Sequence, residues 1–121
     1  MKKILIVEDQ ADIRQLIRMT LEFEDYEIHE SRDGAHGLRL AATLGPDLIL
    51  LDVMMPGDLD GLQVCQRIKS DPKTRHLKVV LLTARSQAPD GDVGGQAAAD
   101  ACLVKPFSPL QLIDTIEKLL G

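Results

Sequence analysis

Five times along this chain a short apolar stretch gives way to an amphipathic one, and that alternation restricts the fold more than any other feature. Residues 4–7 read Ile-Leu-Ile-Val without a polar break, and residues 48–51, 79–82 and 101–104 are similar. Such a run suits a strand covered on both faces. The remaining strand candidate differs: Tyr26, Ile28 and Glu30 alternate with Glu27 and His29, as on a sheet edge. Between these runs lie helical patterns. Ile13, Leu16, Ile17, Thr20 and Leu21 form one stripe, and Ala35, Leu38 and Ala42 a second, begun by Asp33 and stopped by Gly45-Pro46.

Asp60 can cap a third helix, with Gln63 at the capping-box position. The last helix has the clearest start. Ser108 is the N-cap, Pro109 the first helical residue, and Gln111 completes the box; Phe107 can staple onto Leu112. Leu112, Ile116 and Leu119 then face inward. The helix expected around residues 90–98 is weak, because Gly91, Gly94 and Gly95 each cost about 1 kcal/mol relative to Ala. It is expected to be short and mobile. Strictly alternating strands and helices imply an α/β fold, a doubly wound (βα)5 three-layer sandwich around a parallel five-stranded sheet. No linker or repeat divides the chain, so residues 1–121 read as a single domain.

Composition narrows the function. Net charge is −5 and aromatics are 2%, which disfavours direct contact with nucleic acid or anionic membranes. No apolar run reaches membrane-spanning length, and Met1-Lys2-Lys3 leads into only four apolar residues; a cytoplasmic location is expected. Cys65 and Cys102 have no CxxC spacing and read as small buried residues. His29, His36 and His76 lack metal-ligand spacing and read as surface residues.

Ligands of open parallel sheets collect beyond the carboxyl ends of the strands. There this chain carries Glu8 and Asp9 after the first strand, Asp52 after the third, Thr83 after the fourth and Lys105 after the fifth. Three carboxylates in one crevice must take up protons or recruit a cation. All-oxygen ligands favour Mg2+, or alternatively Mn2+, over zinc. Lys105 supplies a positive charge for a phosphoryl oxygen and Thr83 a hydroxyl donor. With no Ser-His or Cys-His pair evident, an aspartate can itself be the nucleophile. Glu8 has a second reading, as a surface acid favoured by a helix N-terminus. Asp58 and Asp60 read as loop polarity and an N-cap. Arg85 is either a residue near the pocket mouth or a solvated arginine.

Val7-Glu8-Asp9, Leu50-Leu51-Asp52-Val53-Met54-Met55-Pro56-Gly57, Leu82-Thr83-Ala84 and Lys105-Pro106-Phe107 occur in order, each at a strand end. Together they resemble the receiver domains of two-component response regulators, over essentially the whole chain. The resemblance implies sheet order 2-1-3-4-5 and a phosphorelay function. It implies Asp52 as phospho-acceptor, Asp9, Asp52 and the Met54 carbonyl as metal ligands, and Glu8 as a second-shell or alternate ligand. Thr83 and Lys105 would be the switch hydroxyl and the phosphate-binding lysine, and Lys105-Pro106 a cis peptide. The implied partners are a sensor histidine kinase or a histidine phosphotransfer protein. The face made by the fourth helix, fifth strand and fifth helix would switch and could form a homodimer. No enzyme activity is implied beyond self-phosphotransfer and slow autodephosphorylation.

The chain departs from the family pattern in places. Pro56-Gly57-Asp58-Leu59-Asp60-Gly61 holds one residue more than the usual loop. Cys102 stands where an aromatic is common, so no swinging ring can report phosphorylation. Ala98 replaces a glycine that would sit easily in a left-handed cap, at a cost of about 1 kcal/mol. Two other functions compete. A haloacid-dehalogenase-type phosphatase shares aspartyl-phosphate chemistry but needs Asp-x-Asp after the first strand, where this chain has Glu8-Asp9-Gln10-Ala11-Asp12. A phosphate-independent scaffold would have lost Asp9, Asp52 or Lys105. Nucleotide or flavin binding lacks its glycine motif.

Overall fold

Alternation within the apolar runs builds two cores, one on each side of a single sheet. The computed structural model describes residues 1–55, 59–84 and 99–120. Its strands are β1 (Lys2–Val7), β2 (Tyr26–Ser31), β3 (Leu48–Asp52), β4 (Lys78–Ala84) and β5 (Ala101–Lys105). Its helices are α1 (Ala11–Leu21), α2 (Gly34–Leu44), α3 (Gly61–Ser70) and α4 (Pro109–Leu120). Successive side chains of a strand point to opposite faces. Ile4, Ile6, Leu48, Leu50, Val80 and Leu82 therefore bury against Ile17 and Leu21 of α1 and Leu112 and Ile116 of α4. Leu5, Val7, Ile49, Leu51, Val79 and Leu81 bury against Ala41 of α2 and Val64, Cys65 and Ile68 of α3. Full burial of each such side chain contributes roughly 1.5–3 kcal/mol, so the two cores hold the sheet rigid between them.

The sheet is parallel throughout, in the order β2-β1-β3-β4-β5, as the resemblance implies. Half-polar β2 takes the edge. The chain winds outward from β1 in both directions, so the order reverses between β1 and β3, and a crevice opens at their carboxyl ends.

Helix signals behave as expected at three termini. Asp33 accepts from the His36 N–H, Asp60 and Gln63 form a reciprocal box, and Ser108 and Gln111 form another. Gly45 closes α2 with φ +62°. Two apolar faces need correction. Leu16, placed on the buried stripe of α1, is 50% exposed; Ile17 and Leu21 carry that contact. In α2 the buried positions are Gly34, Gly37 and Ala41, while Ala35 and Ala42 face out. The helix lies close against the sheet because a glycine faces it: a Cβ on Gly37 would stand 2.8 and 2.9 Å from the two Val7 methyls. Cys102 is exposed on β5, not buried; Cys65 is buried. Met55 packs into the core, whereas Met54 is 62% exposed. The helix expected around residues 90–98, together with Asp58 and Arg85, lies outside the described residues.

Candidate functional site

Register carries the charged residues to one end of the sheet. Val7 pairs with Leu51, so the next residues, Glu8 and Asp52, come side by side. Asp52 pairs with Leu82, which sets Thr83 one step beyond it, and Ala84 pairs with Lys105. Glu8 and Thr83 are fully buried, Asp52 nearly so, and Asp9 is partly exposed. Oxygens of Glu8, Asp9 and Asp52 lie within 4.8 Å of one another. Lys105 Nζ donates to Glu8 Oε1 at 2.7 Å and to Asp52 Oδ1 at 3.1 Å. The Met54 N–H reaches Asp52 Oδ1 at 3.3 Å. The Lys105-Pro106 peptide is cis. Thr83 Oγ1 is buried with no hydrogen-bond partner among the described residues, which is rare for a buried hydroxyl.

Among the described residues the crevice is electrostatically unbalanced, with one ammonium facing three carboxyl groups. Burial first, and then the contact with Asp52, outweigh the pull of Lys105 and push the Glu8 carboxyl up to about 8. Burial lowers Lys105, but its bond to Glu8 and the charges of Glu8 and Asp52 outweigh that and hold it above its usual value. A buried carboxyl held above its usual range beside a second carboxylate marks a site short of positive charge. The donor set is all oxygen and closely grouped, which fits a hard divalent cation of the Mg2+ type.

The sequence-derived residues Glu8, Asp9, Asp52, Thr83 and Lys105 thus come together at the strand ends. Of the two readings of Glu8, the surface acid is excluded: it is 0% exposed and bonded to Lys105. Asp60 serves as an N-cap. Three participants were not anticipated. Arg14 donates to the carbonyls of Glu8 and Asp9, and its only sequence signal is a place on the polar flank of α1. Gly61 touches the Asp52 backbone. Asp100 accepts from the Val79 N–H and pairs with Lys69 at 2.8 Å, tying the approach of β5 to β4 and α3.

A pH prediction follows from Glu8. Its folded-state affinity for protons exceeds that of the unfolded chain, whose value is near 4.5. Its contribution to stability is complete below about 4.5 and is lost as pH rises through about 8. Metal-free protein should therefore lose stability between pH ~5 and ~9 relative to Glu8→Gln, and Mg2+ should restore the loss. Urea midpoints of both proteins, with and without Mg2+, check this; a constant difference between them across that range would contradict it.

Comparison with known proteins agrees with this geometry. The response regulator receiver domain family matches residues 4–117, so the chain belongs to that family. The DNA-binding dual master transcriptional regulator RpaA of Synechocystis sp. is 39% identical over 120 residues, covering 99% of this chain and 49% of the relative. Transcriptional regulatory protein ResD of Bacillus subtilis is 41% identical over 118 residues, covering 98% and 48%. Response regulator PleD of Caulobacter vibrioides is 42% identical, covering 97% and 26%. The chain thus spans about half the length of RpaA and ResD, and about a quarter of PleD. Among solved structures, a putative response regulator from Chloroflexus aurantiacus superposes with a TM-score of 0.92 at 29% identity, covering 98% of this chain and 97% of that one. Chemotaxis protein CheY4 of Vibrio cholerae superposes with 0.88 at 29%, covering 98% of each. The protein is a receiver domain of the kind used in phosphorelay signalling. No helix among the described residues is long and apolar enough to cross a membrane.

Proposed function

We propose that Asp52 accepts a phosphoryl group from the phosphohistidine of a sensor histidine kinase or a histidine phosphotransfer protein. The observation that carries this reading is the convergence of Lys105 Nζ on Asp52 Oδ1 at 3.1 Å, inside a crevice shared with Glu8 and Asp9. An Asp52 carboxylate oxygen attacks phosphorus, and the phosphorus–nitrogen bond breaks with its electrons leaving on the imidazole. Asp9, Asp52 and the Met54 carbonyl would hold Mg2+ or Mn2+, with Glu8 beside them. Bound there, the cation neutralises charge on the transferring phosphoryl group. Lys105 offers its ammonium to a phosphoryl oxygen. Thr83 Oγ1, buried without a described partner, can donate to another.

Loading Asp52 changes what Lys105 and Thr83 bond to, and both sit on the β4–β5 side of the sheet. That couples the acceptor to the face formed by β5 and α4, which could pair with a second copy. The chain's own side chain is the substrate, so hydrolysis returns Asp52 and inorganic phosphate slowly, without turnover of other esters. The cytoplasm, where histidine is phosphorylated from ATP, is the compartment this reaction requires. Acetyl phosphate with Mg2+ should add one phosphoryl group by intact mass. An unlabelled chain, under conditions where a control receiver labels, would overturn the reading. Repeated turnover of small phosphate esters would favour the phosphatase.

A further inference from the structure

The turn that presents Asp9 is weakly fixed by its own sequence. Gln10 occupies the N-cap of α1 but makes no side-chain capping bond, and its N–H reaches Glu8 Oε2 only at 3.4 Å. The Asp9 carboxyl makes no hydrogen bond or ion pair among the described residues. What grips the turn is Arg14, one helical turn further on. Its Nη1 donates to the Glu8 carbonyl at 2.7 Å and to the Asp9 carbonyl at 3.2 Å. Its Nε lies 3.3 Å from Glu30 Oε1, and Glu30 is held from its other oxygen by Arg18 at 2.7 Å. The Arg14 side chain is only 18% exposed. Glu30 stands on β2 opposite Ile6, and the Glu8 N–H bonds the Ser31 carbonyl at 3.0 Å. The guanidinium is thus braced against the sheet edge while it clamps both carbonyls of the acidic pair.

We propose that Arg14 is a positioning residue for the divalent cation: by fixing the Glu8 and Asp9 carbonyls it sets where the Asp9 carboxylate stands. The inference rests on the metal site described above. It predicts a sign that simple electrostatics does not. Removing a positive charge beside three carboxyl groups should tighten binding of a dication by Coulomb's law. Removing a clamp should weaken it. Groups that orient metal ligands typically contribute 10–100-fold to affinity, so the clamp should win. Lysine has one nitrogen to offer, so it cannot bond the carbonyls that Nη1 serves and Glu30 at the same time, and the brace is lost.

The test is Mg2+ titration by calorimetry on the wild-type chain, Arg14→Met and Arg14→Lys, with circular dichroism confirming that each is folded. Both variants should bind about tenfold more weakly than wild type. Binding by Arg14→Met that is unchanged or tighter overturns the proposal and leaves the metal site standing. Full affinity in Arg14→Lys overturns it too, since charge would then suffice. A wild-type chain that binds no Mg2+ refutes the metal site and the clamp together. Should Arg14→Met fail to fold, Arg14→Lys alone decides between fork and charge.

Discussion

Asp52→Asn will fold like the parent chain and take up no phosphoryl group. The amide matches the carboxylate in size and keeps an oxygen for the Met54 N–H, but it carries no anionic oxygen to attack phosphorus. Stability should not suffer. Asp52 is one of the causes that raise Glu8, so neutralising it relieves repulsion, and Lys105 keeps its 2.7 Å bond to Glu8. Asp9→Asn separates the nucleophile from the cation. Asp52 survives in that variant, so labelling should drop by tenfold or more at low Mg2+ and recover in part as Mg2+ is raised. Intact mass after acetyl phosphate treatment measures both, and hydroxylamine, which cleaves acyl phosphates, identifies the bond. Undiminished labelling of Asp52→Asn would remove the basis for naming it the acceptor. An Asp9→Asn chain as active as wild type would dissociate Asp9 from the metal.

Asp52 was legible because a carboxylate ending an apolar run has few structural uses, and Lys105 and Thr83 ended neighbouring runs in the same way. Strand positions followed from the runs themselves, and β2 announced its edge place through Glu27 and His29; the run at 101–104 was misread as covered on both faces, because β5 is the other edge and exposes Cys102 and Val104. Register could not be read from the runs. Whether Glu8 faced water or the crevice depended on pairing Val7 with Leu51 rather than with a neighbour, a choice made by packing on both sheet faces. Leu38 of α2 does pack against the core, but Ala35 and Ala42 were misplaced because the fully buried positions are Gly34, Gly37 and Ala41. Periodicity counts large apolar residues, and a glycine that admits a close approach scores as a break. Leu16 erred in the opposite sense, because a wide stripe on a helix does not say how much of it the sheet covers. Arg14 escaped for a third reason: its partners are main-chain carbonyls and a side chain on another strand, and neither leaves a pattern along the chain.

Gly61→Ala should cost about 3 kcal/mol or more and should damage the site as well as the fold. Helix propensity argues the other way, since alanine is favoured over glycine in a helix interior by about 1 kcal/mol, and Gly61 opens α3. Contact decides it. A Cβ there would overlap the Asp52 carbonyl oxygen and stand 2.7 Å from both the Asp52 carbonyl carbon and Val53 Cα. All three are backbone atoms, so no rotamer change relieves the clash. The 3.0 Å bond from the Gly61 N–H to the Val53 carbonyl would have to open. Either α3 shifts, losing the packing of Val64, Cys65 and Ile68, or the end of β3 moves and takes the Asp52 carboxylate away from Lys105. Gly45→Ala provides the contrast: its φ is +62° but nothing lies within 4 Å of a Cβ, so only the conformational cost of about 1 kcal/mol remains. Urea midpoints should rank wild type, then Gly45→Ala, then Gly61→Ala. Mg2+ titration should show weakened binding in Gly61→Ala alone, because only that substitution presses on the strand end that presents Asp52. A Gly61→Ala chain as stable as its parent would mean that α3 can retreat without cost, and the close approach of α3 to β3 would no longer account for how Asp52 is held.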